Sequence, residues 1–135
     1  MTSRGNPKKA SRLLYLACPY THPDPSIRKM RFDAATSAAA ALIKLGYVVY
    51  SPITMTHPID LVLAGQENTL GSDYWVEFDE TFMDRCDEIV VLEIDGWRQS
   101  SGVQREIQHF LENGKPIWSL SADLEIKDYE TVAAV

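Results

Sequence analysis

The sequence predicts an α/β domain: a parallel sheet of four or five strands with helices on both faces. Three observations predict it. Short apolar runs recur at 13–17, 47–50, 88–92 and 116–119, and they are nearly continuous in hydrophobicity, as strands covered on both faces are. Segments of helical periodicity lie between them. Glycine and proline punctuate the junctions.

The elements follow in order. Residues 1–12 hold Arg4, Lys8, Lys9 and Arg12 with no acid before Asp24, a basic tail expected to be disordered and solubilising. The domain proper spans 13–135, a length that buries a core without staples. The first strand ends at Cys18-Pro19, and Pro23 and Pro25 delay the next helix. Ser26 is the expected N-cap of an Ala-rich helix from 27 to about 45, stopped by Gly46. The strand at 47–50 closes at Ser51-Pro52. A short helix near 59–64 and a polar loop over 65–73 follow, then a helix over 74–85. After the strand at 88–92 come a loop at 95–102, a helix over 103–113 ended by Gly114, the strand at 116–119 and a short C-terminal helix.

Composition excludes several functions. The formal charge of −6 and pI near 5.0 argue against a nucleic-acid polymer as partner, which calls for clustered cations. No apolar stretch reaches the ~20 residues that span a bilayer, and no secretory leader is evident. Two cysteines, Cys18 and Cys86, make neither a disulfide framework nor a zinc motif. The expected setting is cytoplasmic, with no membrane, metal or cofactor.

Two acids stand where apolar residues belong. At about 100° per residue, Trp75, Phe78, Phe82 and Cys86 form one face of their helix, while Glu77, Glu80 and Asp84 lie opposite. Asp79 projects about 40° from Trp75, inside the apolar stripe. A carboxylate there costs several kcal/mol unless it is paired, protonated or facing a cavity; a structural Asp bonded to an amide or Arg is the competing explanation. Glu106 borders the stripe formed by Val103, Ile107, Phe110 and Leu111, with Gln104, Arg105, Gln108 and Glu112 toward water. Near the helix's positive end it is expected to be ionised. A surface Glu stabilising the helix start is its alternative.

Ligands of such sheets bind beyond the strands' carboxyl ends, here 17–20, 51–54 and 94–101. Two carboxylates converging there suit glycosidic chemistry, one attacking the anomeric carbon and one managing the leaving group's proton. Ser100, Ser101 and Gly102 precede the second acid's helix, where hydroxyls and free amides suit a phosphate or ribose hydroxyl; simple capping is the other role. His22 and His57 flank the pocket edge as further acid–base candidates, and Trp75, Phe78 and Phe82 are expected in the core.

Taken in order, Tyr15-Leu16-Ala17-Cys18-Pro19-Tyr20, Asp79 ahead of Asp87 and its strand, Asp95-Gly96, the run Ser100-Ser101-Gly102-Val103-Gln104-Arg105-Glu106 and Gly114-Lys115-Pro116 resemble the nucleoside 2-deoxyribosyltransferase superfamily, including its deoxynucleoside 5′-monophosphate N-glycosidase branch. The resemblance runs from about 13 to 118. It implies a flavodoxin-like fold, a homo-oligomer and a retaining displacement with Glu106 as nucleophile. It also implies Asp79 as the acid that positions the substrate or protonates the base, Tyr15 beside the sugar, and Ser100 on a phosphate. Pro19, Tyr20 and Asp95 fall within the implied binding motifs. The branch's Gly-Ser and Arg in the first loop are replaced by Cys18-Pro19 and Tyr20-Thr21. Trp97 and Arg98 lengthen the loop before Glu106. They are candidates to stack on a base and hold a phosphate, with loop anchoring and solvation as alternatives.

The expected function is therefore cleavage or transfer of the N-glycosidic bond of a nucleoside or its 5′-monophosphate. The alternative is a non-catalytic nucleotide-binding or sensor module using the same pocket.

Overall fold

A computed structural model of the chain describes residues 12–66 and 70–129. The basic residues through position 9, and the chain from 130 onward, lie outside the described residues. Five strands, β1 (Leu13–Ala17), β2 (Val48–Tyr50), β3 (Glu88–Glu93), β4 (Ile117–Ser121) and β5 (Ile126–Asp128), form one sheet in the order β2-β1-β3-β4-β5. The first four are mutually parallel, with Ala17 opposite Val91 and Glu93 opposite Ser121. This is the flavodoxin-like strand order, whose switch point falls between β1 and β3.

Alternation along β1 divides the core. Leu14, Leu16 and Cys18 point to one face, where Ala35, Ala38, Ala39 and Leu42 of α1 (Pro25–Lys44) and Ile53 of α2 (Pro52–Ala64) cover them. Tyr15 and Ala17 point to the other, covered by Met83 of α3 (Ser72–Arg85) and by Val103, Ile107 and Phe110 of α4 (Ser101–Glu112). Small residues on α1 let that helix approach the sheet closely; the α4 face is filled by larger side chains.

Four expectations about elements are corrected. The cap of α1 is Asp24, whose Oδ1 accepts from Ser26 N at 2.9 Å, because Pro25 fits the first helical position where no N–H is required. The helix before the polar loop is not confined to 59–64 but begins at Pro52 and carries Pro58 inside it. Its hydroxyls bind within and beyond it: Thr54 Oγ1 lies 2.8 Å from Ser51 Oγ and 2.9 Å from Thr36 Oγ1. Among the described residues, which end at 129, the segment after β4 forms not the expected helix but β5, antiparallel to β4, so the sheet is parallel except at this edge. Finally, α4 starts at Ser101, capped by Ser100 Oγ accepting from Val103 N at 3.2 Å, which places Glu106 past the first turn.

Gly96, in the turn after β3, holds φ at +93°, and a Cβ there would lie 2.5 Å from the Arg31 guanidinium. The turn thus lets Arg31 cross the switch point and donate to the Thr21 carbonyl at 3.1 Å. Among the described residues no helix is long and apolar enough to cross a membrane.

Candidate active site

A cavity of about 570 Å³ opens beyond the carboxyl ends of β1 and β3. The loop after β1 supplies Cys18, Tyr20, Thr21 and His22, α2 supplies Pro52, Ile53, Thr56 and Asp60, α3 supplies Ser72, Trp75, Val76 and Asp79, and the start of α4 supplies Ser100 through Val103 with Arg105 and Glu106. Asp79 and Glu106, from helices on the same face of the sheet, therefore share one hollow.

Glu106 is 6% exposed. Its Oε2 accepts a hydrogen bond from the Tyr15 hydroxyl at 2.5 Å, and Tyr15 itself is fully buried in the middle of β1, ringed by Tyr50 and Phe110. No ion pair compensates Glu106 among the described residues. Burial pushes its carboxyl up to about 8, with the Asp79 charge adding, against the Tyr15 hydrogen bond and Arg105, which oppose. The expectation of an ionised Glu106 is thus corrected: desolvation outweighs whatever the helix dipole contributes beyond the first turn.

Asp79 is half-buried, and burial pushes it up to about 6 while Arg105 pulls the other way. The Tyr15 hydroxyl is raised well above its ordinary value by burial and by both acids, so it stays a donor. Cys18 borders the same space, but burial pushes its thiol up to about 12, with Glu106 adding and Arg31 opposing; it is no thiolate nucleophile. Near neutral pH, then, two coupled carboxyls at the switch point retain about one proton between them.

A family model described as a domain of unknown function, DUF1937, matches residues 12–122. The chain belongs to DUF1937. No curated protein matches the chain. The matched span holds β1 through β4 and both acids, so the cavity is built entirely within the DUF1937 domain.

The remaining expected site residues separate into three groups. Tyr20, Ser100, Ser101 and Gly102 line the cavity, as does His22. His57 stands one layer behind: it is 4% exposed, stacks on Phe32 at 4.4 Å between centroids, and its Nδ1 lies 2.6 Å from the Tyr20 hydroxyl. Pro19 is fully buried beneath the loop. Asp95, Trp97 and Arg98 do not line the cavity. Trp97 packs edge-on to Tyr129 at 6.3 Å and Arg98 lies 4.7 Å over the Trp97 ring, which is the loop-anchoring alternative.

Other lining residues were assigned elsewhere by sequence or passed over. Trp75, expected in the core, is half-buried and faces the cavity; Arg105, expected toward water, sits at its mouth. Arg28, Thr56 and Asp60 carried no signal, because a helical wheel gives solvent and a water-filled cavity the same direction.

Proposed function

We propose that this protein cleaves or transfers the N-glycosidic bond of a nucleoside or its 5′-monophosphate through a glycosyl-enzyme intermediate on Glu106. The observation that carries the reading is the pair of acids with raised pKa, Asp79 and Glu106, lining one cavity with the Tyr15 hydroxyl fixed on Glu106. Such pairs serve retaining glycosidic displacement, in which one carboxyl attacks and the other handles protons.

In the competent form the shared proton rests on Asp79 and the charge on Glu106. The Tyr15 hydroxyl and Arg105 both favour that charge, and positive charge developing at the sugar's anomeric carbon strengthens it. Glu106 attacks that carbon, the bond to the base nitrogen breaks, and its electron pair takes the proton from Asp79. Water or a second base then attacks the same carbon, the ester bond to Glu106 breaks, and the incoming nucleophile's proton returns to Asp79. A 5′-phosphate would sit at the α4 N-terminus, where Ser101 and Gly102 line the cavity with Arg105 beside them. Two free, buried cysteines fit a reducing, cytoplasmic setting, and a homo-oligomer is part of the same reading.

The test is a panel of nucleosides and 5′-monophosphates, scored for free base by chromatography. The proposal expects base release by the wild type and none by Glu106→Ala with an unchanged circular dichroism spectrum. Equal release by that variant would refute the nucleophile assignment. A sensor is the second reading, favoured by one observation: a Glu106 pushed up to about 8 is neutral at rest and can hydrogen-bond a ligand without attacking it. A sensor would bind members of the panel and release no base.

A further inference from the structure

We infer that Arg28, Tyr20 and Asp60 form a base-reading subsite selecting 6-oxopurines, guanine above all. The inference rests on a nucleoside or nucleotide as the cavity's ligand, and it extends that reading to the base.

Arg28 comes from the first turns of α1, Tyr20 from the loop after β1 and Asp60 from α2, and all three line the cavity. They form a neighbourhood separate from the acid pair. The charges acting on Glu106 are those of Asp79 and Arg105, whereas those acting on the Tyr20 hydroxyl are Asp60 and Arg28. Arg28 and Asp60 both act on the Tyr20 hydroxyl, yet neither takes part in an ion pair among the described residues. Arg28 Nη1 donates to the His22 carbonyl and the guanidinium also hydrogen-bonds the Tyr20 hydroxyl, which together hold it in the cavity wall; a guanidinium carries five N–H donors in all. The Tyr20 hydroxyl is fixed by buried His57 at 2.6 Å, and that ring is clamped by Phe32.

A guanidinium only donates and an ionised carboxylate only accepts. Held apart, they fit a ligand with one all-acceptor edge and one all-donor edge. Guanine supplies both, O6 with N7 for the fork and N1–H with the 2-amino group for the carboxylate; hypoxanthine supplies the first and half of the second. Adenine places a donor beside N7 and a bare lone pair at N1, so it mismatches both groups. A phosphate fits poorly beside Asp60, since the two anions repel. Trp75 in the wall of the same cavity offers a face for the purine ring.

The experiment compares kcat/KM for deoxyguanosine, deoxyinosine and deoxyadenosine and their 5′-monophosphates, alongside calorimetric binding of hypoxanthine and adenine to the same protein. The wild type is expected to favour guanine and hypoxanthine over adenine by about tenfold or more. Arg28→Gln, which presents a donor and an acceptor together, should cut that ratio about tenfold. Asp60→Asn should narrow the guanine-over-hypoxanthine preference. Both variants should keep the wild-type circular dichroism spectrum. Equal use of the bases, a preference for adenine, or a ratio unmoved by Arg28→Gln would overturn the subsite. If nothing is cleaved yet hypoxanthine binds more tightly than adenine and Arg28→Gln removes the difference, the subsite stands and the glycosidic reading falls.

Discussion

Two glutamates lie almost wholly inside this small domain, at opposite ends of the same sheet. Glu88, at the first residue of β3, is 3% exposed; Glu106, beyond the sheet's carboxyl edge, is 6% exposed. Their surroundings differ. Glu88 Oε1 accepts from the Trp118 indole at 2.9 Å and its Oε2 faces the Arg12 guanidinium at 3.6 Å. Glu106 has the Tyr15 hydroxyl, a second acid acting on it and an open cavity beside it. Glu88 is matched by one indole donor and a cation and lies outside the cavity, as a carboxylate that holds structure together does. Glu106 is under-compensated and open to the cavity, the setting the proposed chemistry calls for. Burial alone would not have told them apart.

The contrast can be broken most sharply by paired variants. Glu106→Gln should lower turnover on the order of 10³-fold or more, as loss of a nucleophile does, while leaving the unfolding midpoint unchanged or raised. Glu88→Ala should do the reverse, lowering stability on the order of 2–4 kcal/mol with kcat/KM for the folded fraction near the wild-type value. Chemical denaturation and steady-state kinetics on both variants check the pair; swapped outcomes would reverse the roles assigned here.

Titration sharpens the comparison with smaller effects. Folding raises Glu106 from 4.5 to about 8 and Asp79 from 3.8 to about 6. The folded chain therefore binds more protons than the unfolded one across these intervals, and the pair's contribution to stability is fully present below 3.8 and lost as pH rises through about 6 and about 8. Glu106→Gln should flatten that fall, seen as a smaller pH dependence of the denaturant midpoint. Activity should follow a bell with limbs near 6 and 8, because the fully protonated pair lacks a nucleophile and the fully ionised pair lacks an acid.

Much of the fold was legible because its strands are unmixed. β1 and β3 read as apolar runs, and the stripe Val103, Ile107, Phe110 fixes α4 on its face. What escaped has physical causes. Two prolines masked α2, since Pro52 starts that helix and Pro58 is carried within it. β5 is three residues long, too short to show a period, and exists through its pairing with β4.

At the site, Asp79 and Glu106 were visible as charges interrupting apolar faces. The raised pKa of Glu106 was not, because it comes from burial in the folded chain, with Tyr15 of the sheet set against its carboxyl. Arg28, Asp60 and Arg105 look solvated on any wheel. Only the packing of α1, α2 and α4 around one hollow brings them to the same cavity. Trp97 and Arg98 show the opposite failure, conspicuous in the sequence and turned away from the cavity by their contact with each other and Tyr129.

The central claim is a covalent bond between a sugar and Glu106. A 2′-fluoro nucleoside with an activated leaving base, which forms the ester faster than it is hydrolysed, should leave one sugar mass on the peptide containing Glu106, read by mass spectrometry after digestion, and none in Glu106→Gln. Base released with no adduct, or an adduct on another residue, would contradict the account.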